Sequence, residues 1–156
     1  MALTKEKIAT TYPLPVYNYR VEIDGQAVGF SEVSGLSVGY ETTTYTESML
    51  DGGSSPRWMY MPAQSKSATV TLKKGVVTGV SVAALFDWIN SIQLNRIDKK
   101  DIYVRLCDET GTAVVSWKVL NAFPTKLDAP SFTANSNDVA IESMELMADK
   151  VEVEQN

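Results

Sequence analysis

The stretch Val80–Asn95, VSVAALFDWINSIQLN, is the one part of the chain whose apolar residues recur with a helical period. Val82, Leu85, Phe86, Ile89 and Ile92 stand at i, i+3, i+4, i+7 and i+10 and make one stripe, while Asp87, Asn90 and Ser91 fall on other faces. The spacing predicts a helix of about four turns, with Gly79 breaking the strand before it and Ser81 as N-cap. Those five side chains form the face expected to dock on the body of the same subunit. At roughly 25 cal/mol per Å² their burial stabilises by several kcal/mol. The helix therefore belongs to the fold, and the rest of the chain reads as sheet arranged around it.

Outward from the helix, the pattern changes to period two. Tyr17–Ile23 alternates Tyr17, Tyr19, Val21 and Ile23 with Asn18, Arg20 and Glu22, and Asp24-Gly25 then announces a tight hairpin. Ser67–Lys73 and Ile102–Cys107 alternate in the same way, and Asp108–Gly111 turns the second of these into Ala113–Asn121. Pro124 and Pro130 flank a short extended piece before a last strand at Val139–Met147. Val38–Thr46, rich in Thr and Tyr, suits a pleated surface wet or covered on both sides better than a fatty core. Seven or eight strands and one helix predict a mainly β fold, a single-domain β-barrel or sandwich with one flanking helix.

With 156 residues and 44% hydrophobic content the chain supports one core, so residues 1–156 are expected to be a single domain. Residues 1–15, with Pro13 and Pro15, read as an N-terminal arm, and residues 149–156 as a solvated acidic tail. Fourteen basic against nineteen acidic residues give a net charge of −5, which opposes non-specific nucleic-acid binding. No run of apolar residues is long enough to span a membrane, and the first residues lack the apolar core of a signal peptide, so no stable membrane insertion is expected.

Chemistry finds little purchase. The sequence has no histidine and one cysteine, Cys107, within an alternating strand, where it reads as a small apolar residue rather than a nucleophile without a base. Glu41, Glu47 and Asp51 read as solvated carboxylates, and Asp51–Ser54 lacks the alternating acids of a calcium loop. Lys73-Lys74 and Lys99-Lys100 are too short for a nucleic-acid site. No catalytic residue, metal ligand or cofactor is assigned, and a structural or binding module is expected.

Six segments in order then resemble one family. Phe30–Leu36 (FSEVSGL), Val70–Gly75 (VTLKKG), the helix with Trp88, Ile102–Gly111 (IYVRLCDETG), Trp117 followed by Asn121–Lys126 (NAFPTK), and Asn137–Leu146 (NDVAIESMEL) are similar to the tail tube proteins of T4-like contractile phages. The same family includes the inner tube proteins of phage-like contractile injection systems. The resemblance implies a fold similar to tail tube and type VI secretion tube proteins and a subunit that forms homohexameric rings stacked into a hollow tube. Implied partners are further copies of itself, a contractile sheath protein, baseplate or spike and tube-terminating proteins, and a cargo effector or DNA in the lumen. Assembly is implied in the bacterial cytoplasm, into a phage tail or a released injection particle. Met1–Thr11 matches nothing in that pattern.

Two surfaces are expected to serve this assembly. Glu47–Arg57 (ESMLDGGSSPR) is too rich in Gly and Ser to order alone, so Glu47, Met49, Leu50, Asp51, Gly52, Gly53, Arg57 and Trp58 are expected to form a ring-stacking loop. Glu41, Thr42, Thr43 and Thr44 of the preceding strand are expected to pass along the lumen. A monomeric ligand-binding β-barrel is the alternative, and it would require an apolar interior cavity.

Overall fold

The computed structural model describes residues 2–49, 52, 53, 55–77, 81–93 and 96–155, and the backbone only for 81–85. Short helix α1 (Lys5–Thr11) precedes strands β1 (Tyr19–Ile23), β2 (Gln26–Val28), β3 (Glu32–Ser34), β4 (Tyr40–Glu47), β5 (Arg57–Ser65) and β6 (Ala68–Gly75). Helix α2 (Ser81–Asn90) is followed by β7 (Lys100–Cys107), β8 (Ala113–Asp128), β9 (Ile141–Ala148) and β10 (Lys150–Gln155). Eight strands form one antiparallel sheet in the order β2-β1-β7-β8-β9-β6-β3, with β10 also on β8, while β4 and β5 pair only with each other.

The sheet folds over on itself because β8 changes partners along its sixteen residues, and β2 and β3 remain its two edges. Its first part, through Ala122, lies beside β7, and Phe123–Asp128 lies beside β9. Asn121 sits at the changeover with φ 53°, a left-handed conformation that Asn tolerates better than most residues. Its amide N–H donates to Asp101 Oδ1 (3.0 Å) and its Nδ2 to Asp149 Oδ2 (2.8 Å), the residue at which β9 gives way to β10. Two bends are thus tied at one corner. The inner faces meet in a filled core in which Val70, Leu72, Ile102, Val119, Met144 and Leu146 are completely buried.

The Asp24-Gly25 hairpin is confirmed in detail: both residues have positive φ, 52° and 78°, as a two-residue turn of the mirror-image type requires. Asp108 likewise closes the β7–β8 turn, its Oδ1 accepting from Thr110 N–H, Thr110 Oγ1 and Thr112 N–H, with Gly111 at φ 84°. These bonds hold the Asp108 carboxyl below the usual carboxylate range. Cys107 is buried as expected.

Four expectations need correction. Residues 150–155 are not a free tail: β10 pairs with β8 from Lys150↔Leu120 to Gln155↔Val115 and buries Val151. The arm contains α1, capped by Thr4, whose Oγ1 accepts from Lys7 N–H, so α2 is not the sole helix. Pro124 lies inside β8 rather than beside it, because its missing N–H falls at the irregularity where β8 meets β9.

The fourth concerns α2, which spans ten residues rather than four turns. Its anchor is Trp88, 5% exposed, whose Nε1 donates to the Asp98 carbonyl (2.9 Å) under the Lys100 ammonium, 5.1 Å from the ring centre. Phe86 is half exposed, whereas Ile89 packs on the core and Ile92 is half-buried. The face turned to β8 is thus centred nearer Trp88, Ile89 and Ile92, at i, i+1 and i+4, than on Phe86. The side chains of Val82 and Leu85, and the cap assigned to Ser81, lie outside the described residues.

Candidate functional site

Among the described residues, the β4–β5 ribbon is a pair of strands that no other strand joins. Strands β3 and β4 on one side and β5 and β6 on the other are two arms of one long hairpin: Ser34 pairs with Thr71, and beyond a bend Tyr40 pairs with Ser65. The bend lies at Gly35–Gly39, where Gly35 takes φ 86° and the Gly39 carbonyl accepts from Lys66 N–H (2.9 Å). Below the bend β3 is an edge of the eight-stranded sheet, with β6 between it and β9. Above it, no other described strand pairs with the ribbon.

Register assigns every side chain to a face. Thr42↔Pro62, Thr44↔Tyr60 and Thr46↔Trp58 share one side, and Thr43↔Met61, Tyr45↔Met59 and Glu47↔Arg57 the other. Thr42, Thr43 and Thr44 therefore cannot line one surface together, since neighbours on a strand point to opposite faces, and Glu41 sits where the register shifts. Nearly all of the ribbon is exposed, including Tyr45, Trp58, Tyr60 and Met61 at 48%, 58%, 79% and 43%. The pattern of uncharged hydroxyls and aromatics gives it two amphipathic faces.

At the ribbon's tip, Arg57 Nη1 lies 3.7 Å from Glu47 Oε1 and closes the ladder. Met49 is half-buried; its Sδ accepts from Ser55 N–H (3.0 Å), and its terminal methyl lies 3.0 Å from where a Cβ on Gly53 would stand. Gly52 has φ 66°. Glu47, Met49, Gly52, Gly53, Arg57 and Trp58 are thus gathered at one end of the ribbon, while Leu50 and Asp51 lie outside the described residues. Among the described residues no cluster of acids, cysteine or histidine could hold a metal.

Sequence reasoning missed two further exposed features. Residues 131–140, between β8 and β9, are exposed throughout, with Phe132 and Val139 at 85% and 75%. An apolar groove of about 330 Å³ opens beside Val33, Leu36, Leu106 and Trp117. Neither has a short local signature, because each depends on where the sheet stops.

Over residues 15–152 the chain matches the family model for the T4-like virus tail tube protein gp19. Among solved structures, a chain of an extracellular contractile injection system, the PVC sheath-tube complex in the extended state, is 43% identical with a TM-score of 0.88, the match covering 99% of this chain and 100% of that one. A chain of the anti-feeding prophage cap, the AFP tube terminating cap, is 41% identical with a TM-score of 0.85, and each chain is covered completely. A chain of the PVC sheath/tube terminator in the extended state is 45% identical with a TM-score of 0.83, over 94% of this chain and 99% of that one. A search of curated proteins returned no match.

Proposed function

Because the chain belongs to the T4-like virus tail tube protein family, we propose that its copies close into six-membered rings that stack into the hollow inner tube of a contractile injection particle. It is a structural tube protein and not an enzyme. The observation that carries the ring is the bare β4–β5 ribbon. A two-stranded ribbon alone is marginal in water, and this one has a dozen and more residues in contact with solvent on both faces. A neighbouring copy supplies the missing layer: Tyr45, Met59 and Met61 pack against it, and the Thr42, Thr44 and Thr46 face, with the polar tips of Tyr60 and Trp58, turns to a hydrated lumen. Joining copies edge to edge also removes the open strand edges that invite aggregation.

The tip of the ribbon, Glu47–Arg57, then meets the next ring. A sheath lies outside the tube, a baseplate or spike at one end and a terminator at the other, and effector or DNA passes through the lumen. Support comes from the similar chains, which are parts of a sheath-tube complex and of two tube-terminating assemblies. No helix among the described residues is long and apolar enough to cross a membrane. Assembly in the bacterial cytoplasm and release within a particle fit that family setting. The ligand-barrel alternative fails on the interior, which is filled by Leu72, Ile102, Met144 and Leu146, while the grooves found lie at the surface.

Sedimentation tests the stacking role of the tip. Replacing Met49 and Leu50 by Asp, or deleting Gly52–Ser55, should leave the melting temperature and ring formation intact but stop growth into tubes. Tubes of parental length from both variants would assign stacking to another surface.

A further inference from the structure

Helix α1 buries no residue, and Leu3, Ile8 and Tyr12 are 50%, 37% and 54% exposed. Seven residues are too few for a helix to persist in water on its own. Ile8 and Tyr12, four apart, lie on one side of it. Pro13-Leu14-Pro15, stiffened by its two prolines, joins α1 to Val16, which is 86% exposed on the rim of the groove beside Trp117. Of residues 2–16 only Val16 lines the groove, so the arm leaves its own groove open.

The groove exists because sheet cover runs out. Along the inner faces of β7 and β8, Ile102 and Val119 are fully buried, but Leu106 and Trp117, further along, are only half-buried. Strand β3, which should cover them, has three residues, and Gly35 then turns the chain away toward the ribbon. Val33 and Leu36 form one wall, and Glu32, with Lys73 Nζ 3.4 Å from its carboxylate, sits at the rim. The arm carries Lys5 and Lys7 against Glu6, whereas the remainder of the chain holds eighteen acidic and twelve basic residues.

We infer that the N-terminal arm of one copy seats Leu3, Ile8 and Tyr12 in the Trp117 groove of an adjacent copy, latching neighbours together. This rests on the self-assembly reading above. It adds a contact outside the span matched by the family model, which begins at residue 15. The groove opens four residues before β4, so the arm would dock next to the ribbon that the same neighbour covers. Each copy gives one arm and receives one, a head-to-tail contact that propagates around a ring.

Disulfide trapping tests it. In a Cys107→Ser background, which removes the only native thiol, Ile8→Cys is combined with Ser31→Cys at the exposed groove rim. Mild oxidation of the assembled protein should give a covalent ladder beyond dimers on a non-reducing gel, whereas either cysteine alone stops at dimers. Parent-like assembly with no ladder, or an intrachain link alone, would overturn the arm assignment and leave the tube reading standing. A parent protein that never associates would remove both. As a second reading, Leu3→Asp with Ile8→Asp should leave the melting temperature unchanged and raise the concentration at which assemblies appear; unchanged assembly would contradict the latch.

Discussion

Gly35 shows how much of the architecture rests on one backbone position. Its φ of 86° is unfavourable for any residue with a Cβ, and a Cβ there would collide with the Thr69 carbonyl oxygen. That carbonyl belongs to β6, the partner that holds β3, so the clash falls on backbone that cannot yield locally. Gly35→Ala should cost about 2–4 kcal/mol, combining left-handed strain with overpacking, as read by thermal or urea melting. A parent-like melt would mean that the bend is not fixed at this residue. The interruption itself was legible, since a glycine between two strand patterns marks a bend or close approach. What it approaches was not, because Thr69 is distant along the chain. Likewise the threonine strand was legible as a two-sided surface, but the division of Thr42 and Thr44 from Thr43 follows from strand alternation that the grouped expectation ignored.

Among elements, α2 is the sharpest case. Apolar spacing alone admitted Val82, Leu85, Phe86, Ile89 and Ile92 as the docked face, and the structure turns that face toward Trp88. Trp88 was passed over because an indole both packs and donates, and only the tertiary fold supplies the Asp98 carbonyl that satisfies its N–H. Trp88→Ala should cost about 3–5 kcal/mol by lost burial and cavity formation, and Phe86→Ala under about 1.5 kcal/mol because half of its ring already meets solvent. Equal losses in melting experiments would contradict this division. Strand β10 was hidden for a related reason. Lys150–Gln155 has only Val151 and Val153 as apolar residues, and its ladder with β8 comes from the corner tied by Asn121 and Asp149, not from local propensity. The hairpin turns, by contrast, depend on two or three adjacent residues and were readable at once.

At the scale of the whole molecule, the body has a buried core of its own and the ribbon has none. The core is filled and its polar turns are satisfied, yet one long hairpin leaves that body at Gly35 and stands with both faces bare. Six family-like segments made the tube fold legible before any coordinate, because they fall on β3, β6, α2, β7, β8 and β9, the strands and helix that build the body. They say less about the assembly surface, where charge, exposure and register between copies decide. Cryo-electron microscopy of the purified protein at high concentration, alone and with a baseplate template, tests the central claim most directly. The account predicts six-fold rings and tubes in which β4–β5 lies between neighbouring copies and Thr42, Thr44 and Thr46 face the lumen. Monomers under every condition, or tubes with the ribbon free on the outer surface, would contradict it.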